Sequence, residues 1–104
     1  MITRMVRMQF RADALAAFEA IFAASKHQIR NFPGCMALEL HHDPADPSVR
    51  YTWSRWASEE ALLAYRQSPI FGQVWPATKA LFASPPQAFS MVLEEVIPGS
   101  PGQN

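Results

Sequence analysis

From Ile2 to Phe10 apolar and polar side chains alternate, with Ile2, Val6, Met8 and Phe10 on one side and Thr3, Met5, Arg7 and Gln9 on the other. A period of two over this length predicts a β-strand. Arg4 interrupts its apolar side. The pattern then changes to a helical one. Leu15, Phe18, Ile21, Phe22, Ser25 and Ile29 fall on one stripe, Asp13 is placed to cap it, and His27 lies on the solvated side. Asn31-Phe32-Pro33-Gly34 ends this helix, because proline cannot extend it and glycine permits a sharp turn. Alternation returns over 35–42, with Met36, Leu38 and Leu40 aligned. The turn-rich run Asp43-Pro44-Ala45-Asp46-Pro47-Ser48 separates it from a third strand, Arg50 to Trp56.

Ser58 is placed to cap a short helix whose first turn carries Glu59 and Glu60, suited to the positive end of its dipole. Ser68-Pro69 breaks it and opens another, with Ile70, Phe71, Val74, Trp75, Thr78, Leu81 and Phe82 on its apolar face. Pro76 inside that pattern would crowd the carbonyl of Gly72, so a kink is expected rather than a break. Pro85-Pro86 stops the helix, Ala88 to Val96 reads as a last strand, and 98–104 reads as a frayed tail.

The order β-α-β-β-(α-α)-β has no internal repeat and predicts an α+β, ferredoxin-like domain over 1–97. Its four-stranded antiparallel sheet would carry the helices on one face. The other face should then be polar, yet Tyr51 and Trp53 oppose Thr52, Ser54 and Trp56, while Phe89, Met91 and Leu93 oppose Val92 and Val96. Both faces need cover. Helices supply one, and a twofold-related sheet would supply the other, giving a homodimer through the sheet face.

Composition agrees with hidden apolar area: 49% of the 104 residues are hydrophobic and only 17% charged. Nine basic residues balance nine acidic ones without a basic stripe, which speaks against nucleic-acid or membrane-surface partners. No apolar run reaches membrane-spanning length, and the first residues lack the pattern of a signal peptide. Cys35 is alone, so no internal disulfide forms and a reducing, cytoplasmic setting is expected.

Few residues invite chemistry. There is no G-x-S-x-G, no glycine-rich phosphate loop and no cysteine pair. His41 and His42 are adjacent on a strand and point to opposite faces, so they do not chelate one ion and no metal site is expected. His42 shares its parity with Leu38 and Leu40, which makes it a candidate base at a pocket rim. Arg4 is placed either to satisfy a carboxylate such as Glu94 or to bind an anionic substrate oxygen.

Asn31-Phe32-Pro33-Gly34-Cys35 leading to Glu39-Leu40-His41 resembles the N-x-P-G-C…E-L turn and strand of the antibiotic-biosynthesis-monooxygenase family. Tyr51-Thr52-Trp53-Ser54-Arg55-Trp56-Ala57-Ser58-Glu59-Glu60-Ala61-Leu62 resembles that family's strand closing in tryptophan before S-x-E-A-L. Tyr65-Arg66-Gln67-Ser68-Pro69-Ile70-Phe71 corresponds to its A-H-x-x-S-x-H-F region. The likeness spans about residues 2 to 96.

It implies a dimeric α/β barrel with one pocket per subunit between sheet and helices. It also implies oxidation of electron-rich phenols or hydroquinones by dioxygen without flavin or metal. A deprotonated substrate of this kind can itself pass an electron to dioxygen, and the protein supplies a dry cavity, a base and stabilisation of negative charge. Of the family's functional positions only Trp56 carries over. Thr52 and Leu62 stand where the aromatic-polyketide oxygenases have asparagine and tyrosine, and Tyr65 and Ile70 where the quinol-type members have histidines. Trp75 replaces the axial histidine of the haem-degrading branch and Tyr65 its tryptophan, which disfavours haem degradation.

A pocket formed by Thr52, Ser54, Trp56, Tyr65, Phe71, Trp75 and Arg4 is therefore expected, with His42 and Tyr65 as catalytic candidates and a small apolar or aromatic ligand. The expected activity is a cofactor-independent monooxygenation of a phenolic or quinol-like substrate. The alternative is a non-catalytic small-molecule-binding protein on the same scaffold.

Overall fold

A computed structural model describes residues 1–102. Strand β1 (Ile2–Gln9) leads through a 3-10 turn (Ala12–Ala14) into helix α1 (Leu15–Arg30). Strands β2 (Cys35–His42) and β3 (Val49–Trp56) follow, then helices α2 (Glu59–Arg66) and α3 (Pro69–Lys79), and finally strand β4 (Gln87–Val92). The sheet order is β2-β3-β1-β4 with every neighbouring pair antiparallel, the expected ferredoxin-like arrangement.

Local chemistry accounts for most boundaries. Ser58 Oγ accepts from the Ala61 backbone N–H at 3.1 Å, capping α2 as the sequence predicts, and Ser68 Oγ accepts from that of Phe71 at 3.3 Å, so the residue that breaks α2 also caps α3. Helix α3 passes unbroken through Pro76. Gly34 adopts φ +87°, which ends the α1–β2 turn, and a Cβ there would lie 2.5 Å from the Ala61 Cβ. The turn thus brings the start of β2 directly against α2.

Three boundaries differ from the sequence reading. Asp13 does not cap α1. It sits within the 3-10 turn, closed by Ala14 N–H donating to the Arg11 carbonyl, and faces Arg11 Nε at 3.6 Å instead. Helix α3 ends at Lys79 rather than at Pro85, because the next residues join the end of β1: Arg11 N–H donates to the Leu81 carbonyl and Ala83 N–H to that of Gln9. Strand β4 ends at Val92 rather than Val96: Val92 pairs with Ile2, the first residue of β1, and beyond it Leu93 N–H donates to the Met1 carbonyl at 3.4 Å. From 93 to 102 the chain holds neither helix nor strand; of the expected tail, Gln103 and Asn104 lie outside the described residues.

The helices cover one sheet face through two separate cores. At one end Ile2, Cys35, Trp56 and Leu62 are buried with Phe32, Ala61 and Tyr65 against them. At the other, Met8, Phe10 and Phe18 are joined by Leu15, Phe22, Leu40, Trp75 and Phe82. The opposite sheet face carries a row Glu39–Trp53–Met5–Phe89 across all four strands, with Phe89 48% and Met91 45% exposed.

Candidate functional site: a cavity between sheet and helices

Between the two cores the helix-side face of the sheet runs out of bulk. Register places Leu38, Ser54, Arg4 and Ser90 in one row and Leu40, Thr52, Val6 and Ala88 in the next. Hydroxyls and a methyl occupy positions where large side chains would fill the gap to the helices. The result is a cavity of about 160 Å³ beneath α1, α2 and α3. An engineered protein cavity of about 150 Å³ holds benzene, so this volume encloses one aromatic ring.

The seven pocket residues expected from the sequence, Thr52, Ser54, Trp56, Tyr65, Phe71, Trp75 and Arg4, all line this cavity. Trp56 is 1% exposed and its indole N–H donates to Ser54 Oγ at 3.0 Å. Ser54 in turn donates to the Arg4 carbonyl at 3.4 Å. Ser54 thus satisfies the tryptophan's donor within the cavity wall. Tyr65 stacks on Trp56, Phe71 meets Tyr65 edge-on at 5.3 Å, and Trp75 stacks on Phe71 at 5.9 Å, so the helix side is a continuous aromatic wall. Burial, reinforced by the nearby Cys35, pushes the Tyr65 phenol up to about 12. It stays neutral at any physiological pH.

Arg4 does not meet Glu94. Its guanidinium donates to Ser90 Oγ at 2.9 Å, and burial followed by the neighbouring Arg66 guanidinium lowers its pKa. His42 does not join the cavity either. It is exposed at the far end of β2 opposite Arg50, and it is not among the residues that line the cavity. His41 faces the other way and bonds Glu39 at 2.7 Å. Among the described residues no group of three or more metal-ligating side chains occurs, and no helix is long and apolar enough to cross a membrane.

Sequence reasoning missed Arg66, which lines the cavity from the last turn of α2, and Phe18 and Phe22, which close it from α1. The two phenylalanines were legible as the α1 stripe. Arg66 carried no signal, since a basic residue closing a short helix reads as a solvated end.

A sequence profile described as Antibiotic biosynthesis monooxygenase matches residues 1–75, which spans β1 to the middle of α3. A search of curated proteins finds no match to the chain. Among solved structures, a Deinococcus radiodurans protein named for the same family superposes with a TM-score of 0.86 at 17% identity, covering 96% of this chain and 99% of that one. A Mycobacterium tuberculosis protein gives 0.85 at 21%, covering 91% and 96%. A Caulobacter crescentus protein, again named for the family, gives 0.84 at 21%, covering 90% of each. At such identities the likeness is one of fold, and it extends through β4, beyond the profile's last residue. Fold, profile and the tryptophan-closed third strand agree: the chain belongs to the antibiotic biosynthesis monooxygenase family.

Proposed function

We propose that the protein is a cofactor-independent monooxygenase acting with dioxygen on a small phenolic or quinol-like substrate held between sheet and helices. The observation that carries this is the cavity of about 160 Å³ walled by Trp56, Tyr65, Phe71 and Trp75. It takes one ring inside and leaves larger ring systems to project at its mouth. Such a substrate supplies its own electrons. A ring CH₂ flanked by phenol becomes a carbonyl as dioxygen becomes one oxygen of product and one of water, and a hydroquinone becomes a quinone as dioxygen becomes hydrogen peroxide. The protein's part is to exclude water, orient the ring and stabilise negative charge.

Oxygen uptake with a series of hydroquinones and phenols of one to three rings tests this. Uptake with at least one of them, abolished by filling the cavity through Ser54→Leu, is the expected result. No uptake with any, together with no ligand-induced thermal shift, overturns it.

One observation favours the alternative of a non-catalytic binding protein: no imidazole or carboxylate is among the residues lining the cavity. That reading expects saturable binding without turnover.

We also propose that two copies pair through the uncovered sheet face. Trp53, Met5, Phe89 and Met91 leave a contiguous apolar area there, and Arg55, stacked 4.9 Å over Trp53, has a buried Nε with no acceptor among the described residues. The lone buried Cys35 supports a reducing, cytoplasmic setting.

A further inference from the structure

Two guanidinium groups border the cavity, Arg4 from the middle of β1 and Arg66 from the end of α2. The Arg66 charge reaches Arg4 and, after burial, contributes to lowering its pKa. Arg4 donates to Ser90 Oγ, a neutral acceptor, and neither arginine has a carboxylate within 4.0 Å among the described residues. The rest of the lining is hydrocarbon, aromatic ring and hydroxyl. The hydroxyls of Ser54 and Thr78 already donate to the carbonyls of Arg4 and Val74.

Arg4 is half-buried and Arg66 is exposed at its helix end, so together they offer positive charge at the rim of an otherwise apolar cavity. Acidic residues are near in sequence, with Glu59 and Glu60 at the other end of α2 and Glu94 just past β4, but none is among the cavity's lining residues. A ligand anion would complete the arrangement.

We infer that the cavity selects a one-ring aromatic ligand bearing an ionised oxygen group, a phenolate or carboxylate, held at the Arg4–Arg66 end. This rests on the cavity being the substrate site, as proposed above, and narrows its substrate class. It also supplies what the cavity lacks. Where no lining group serves as a base, a cationic end favours the ionised form of a bound phenol and so prepares it to give up an electron.

The experiment compares 4-ethylbenzoate with its neutral analogue 4-ethylbenzyl alcohol by NMR titration, in the wild type, Arg66→Gln and Arg4→Gln/Arg66→Gln. In parallel, the absorbance of bound 4-nitrophenol reports its ionisation. The wild type is expected to prefer the benzoate at least about tenfold, as charge-assisted hydrogen bonds require, and to ionise bound 4-nitrophenol at lower pH than in buffer. Arg66→Gln, an exposed helix-end change that leaves the fold intact, should cut the preference at least about threefold. The double variant, its fold checked by circular dichroism, should abolish it without weakening the alcohol.

Ionisation of 4-nitrophenol without benzoate preference assigns the site to phenolates, and the reverse to carboxylates; either supports the inference. Equal binding of acid and alcohol with unshifted 4-nitrophenol overturns it and leaves the oxygenase reading intact. A preference that survives Arg66→Gln overturns the assignment to the arginines. Failure of every probe to bind overturns both readings, whereas anion preference without oxygen uptake sinks the oxygenase reading alone.

Discussion

The indole of Trp56 lies against the phenol ring of Tyr65 with centroids 4.9 Å apart and planes 24° from parallel. The contact joins the last residue of β3 to the last turn of α2 and seats the helix beside the cavity. The ring supplies the contact area, and the Tyr65 hydroxyl has no hydrogen-bond partner among the described residues. Tyr65→Phe should therefore cost under about 1 kcal/mol of stability. Tyr65→Ala, which empties one side of the stack, should cost about 2–4 kcal/mol. Urea denaturation separates the two, and equal losses would show that the hydroxyl rather than the ring anchors α2.

The same phenol sets an alkaline limit. Its folded-state pKa of about 12 lies above the ordinary 10. Between these values the native chain keeps a proton that the unfolded chain releases. Its contribution is complete below pH 10 and is lost as pH rises toward 12. Stability measured across that interval should decline less steeply in Tyr65→Phe than in the wild type. Parallel curves would show that Tyr65 ionises normally and that its surroundings are wetter than the packing indicates.

Gly34 answers two demands at once, a positive φ and an approach to Ala61 that leaves no room for a side chain. Gly34→Ala should lose about 2–4 kcal/mol, combining left-handed strain with overpacking against α2. Pairing it with Ala61→Gly relieves only the contact. The double variant should recover part of the loss, and full recovery would mean that the backbone conformation carries no strain.

What the sequence disclosed and what it hid follow from the range of the interactions involved. Strand alternation and a serine cap are decided within a few residues, so β1 to β3 and the Ser58 cap were legible. The end of β4 depends on where a strand distant in sequence begins, and only the Ile2–Val92 pairing reveals it. Thr52 and Ser54 could be recognised as a gap in the sheet's bulk because parity alone places them. His42 has the right parity too, but it lies exposed at the end of its strand, and how far a cavity extends along a sheet has no local signature. Arg66 was hidden for the converse reason: an exposed helix end becomes a cavity wall only through the tilt of α2 over the sheet.

Cys35 is buried beside Ile2, Trp56 and Leu62, and burial pushes its thiol up despite the nearby Arg30. A neutral, enclosed thiol is a poor nucleophile. Native protein should react with a disulfide reagent at least about a hundredfold more slowly than urea-unfolded protein, because reaction must await local opening. Comparable rates would place the thiol at the surface and contradict the core around Trp56.

The uncovered sheet face yields the last prediction. Trp53, Met5 and Phe89 pair directly across three strands, and Phe89 and Met91, which point to this face, are 48% and 45% exposed. An apolar row of this kind marks a subunit contact, and a twofold axis would lay one such sheet against another. The chain is 11.7 kDa, so sedimentation velocity should report a species of twice that mass. Phe89→Lys sets a charge in the middle of the face at a residue that does not line the cavity. It should shift the protein to the monomer with its helical signal retained. A wild type that sediments as a monomer would remove the dimer and leave the face to a different partner. A Phe89→Lys dimer as tight as the wild type would move the interface off the sheet.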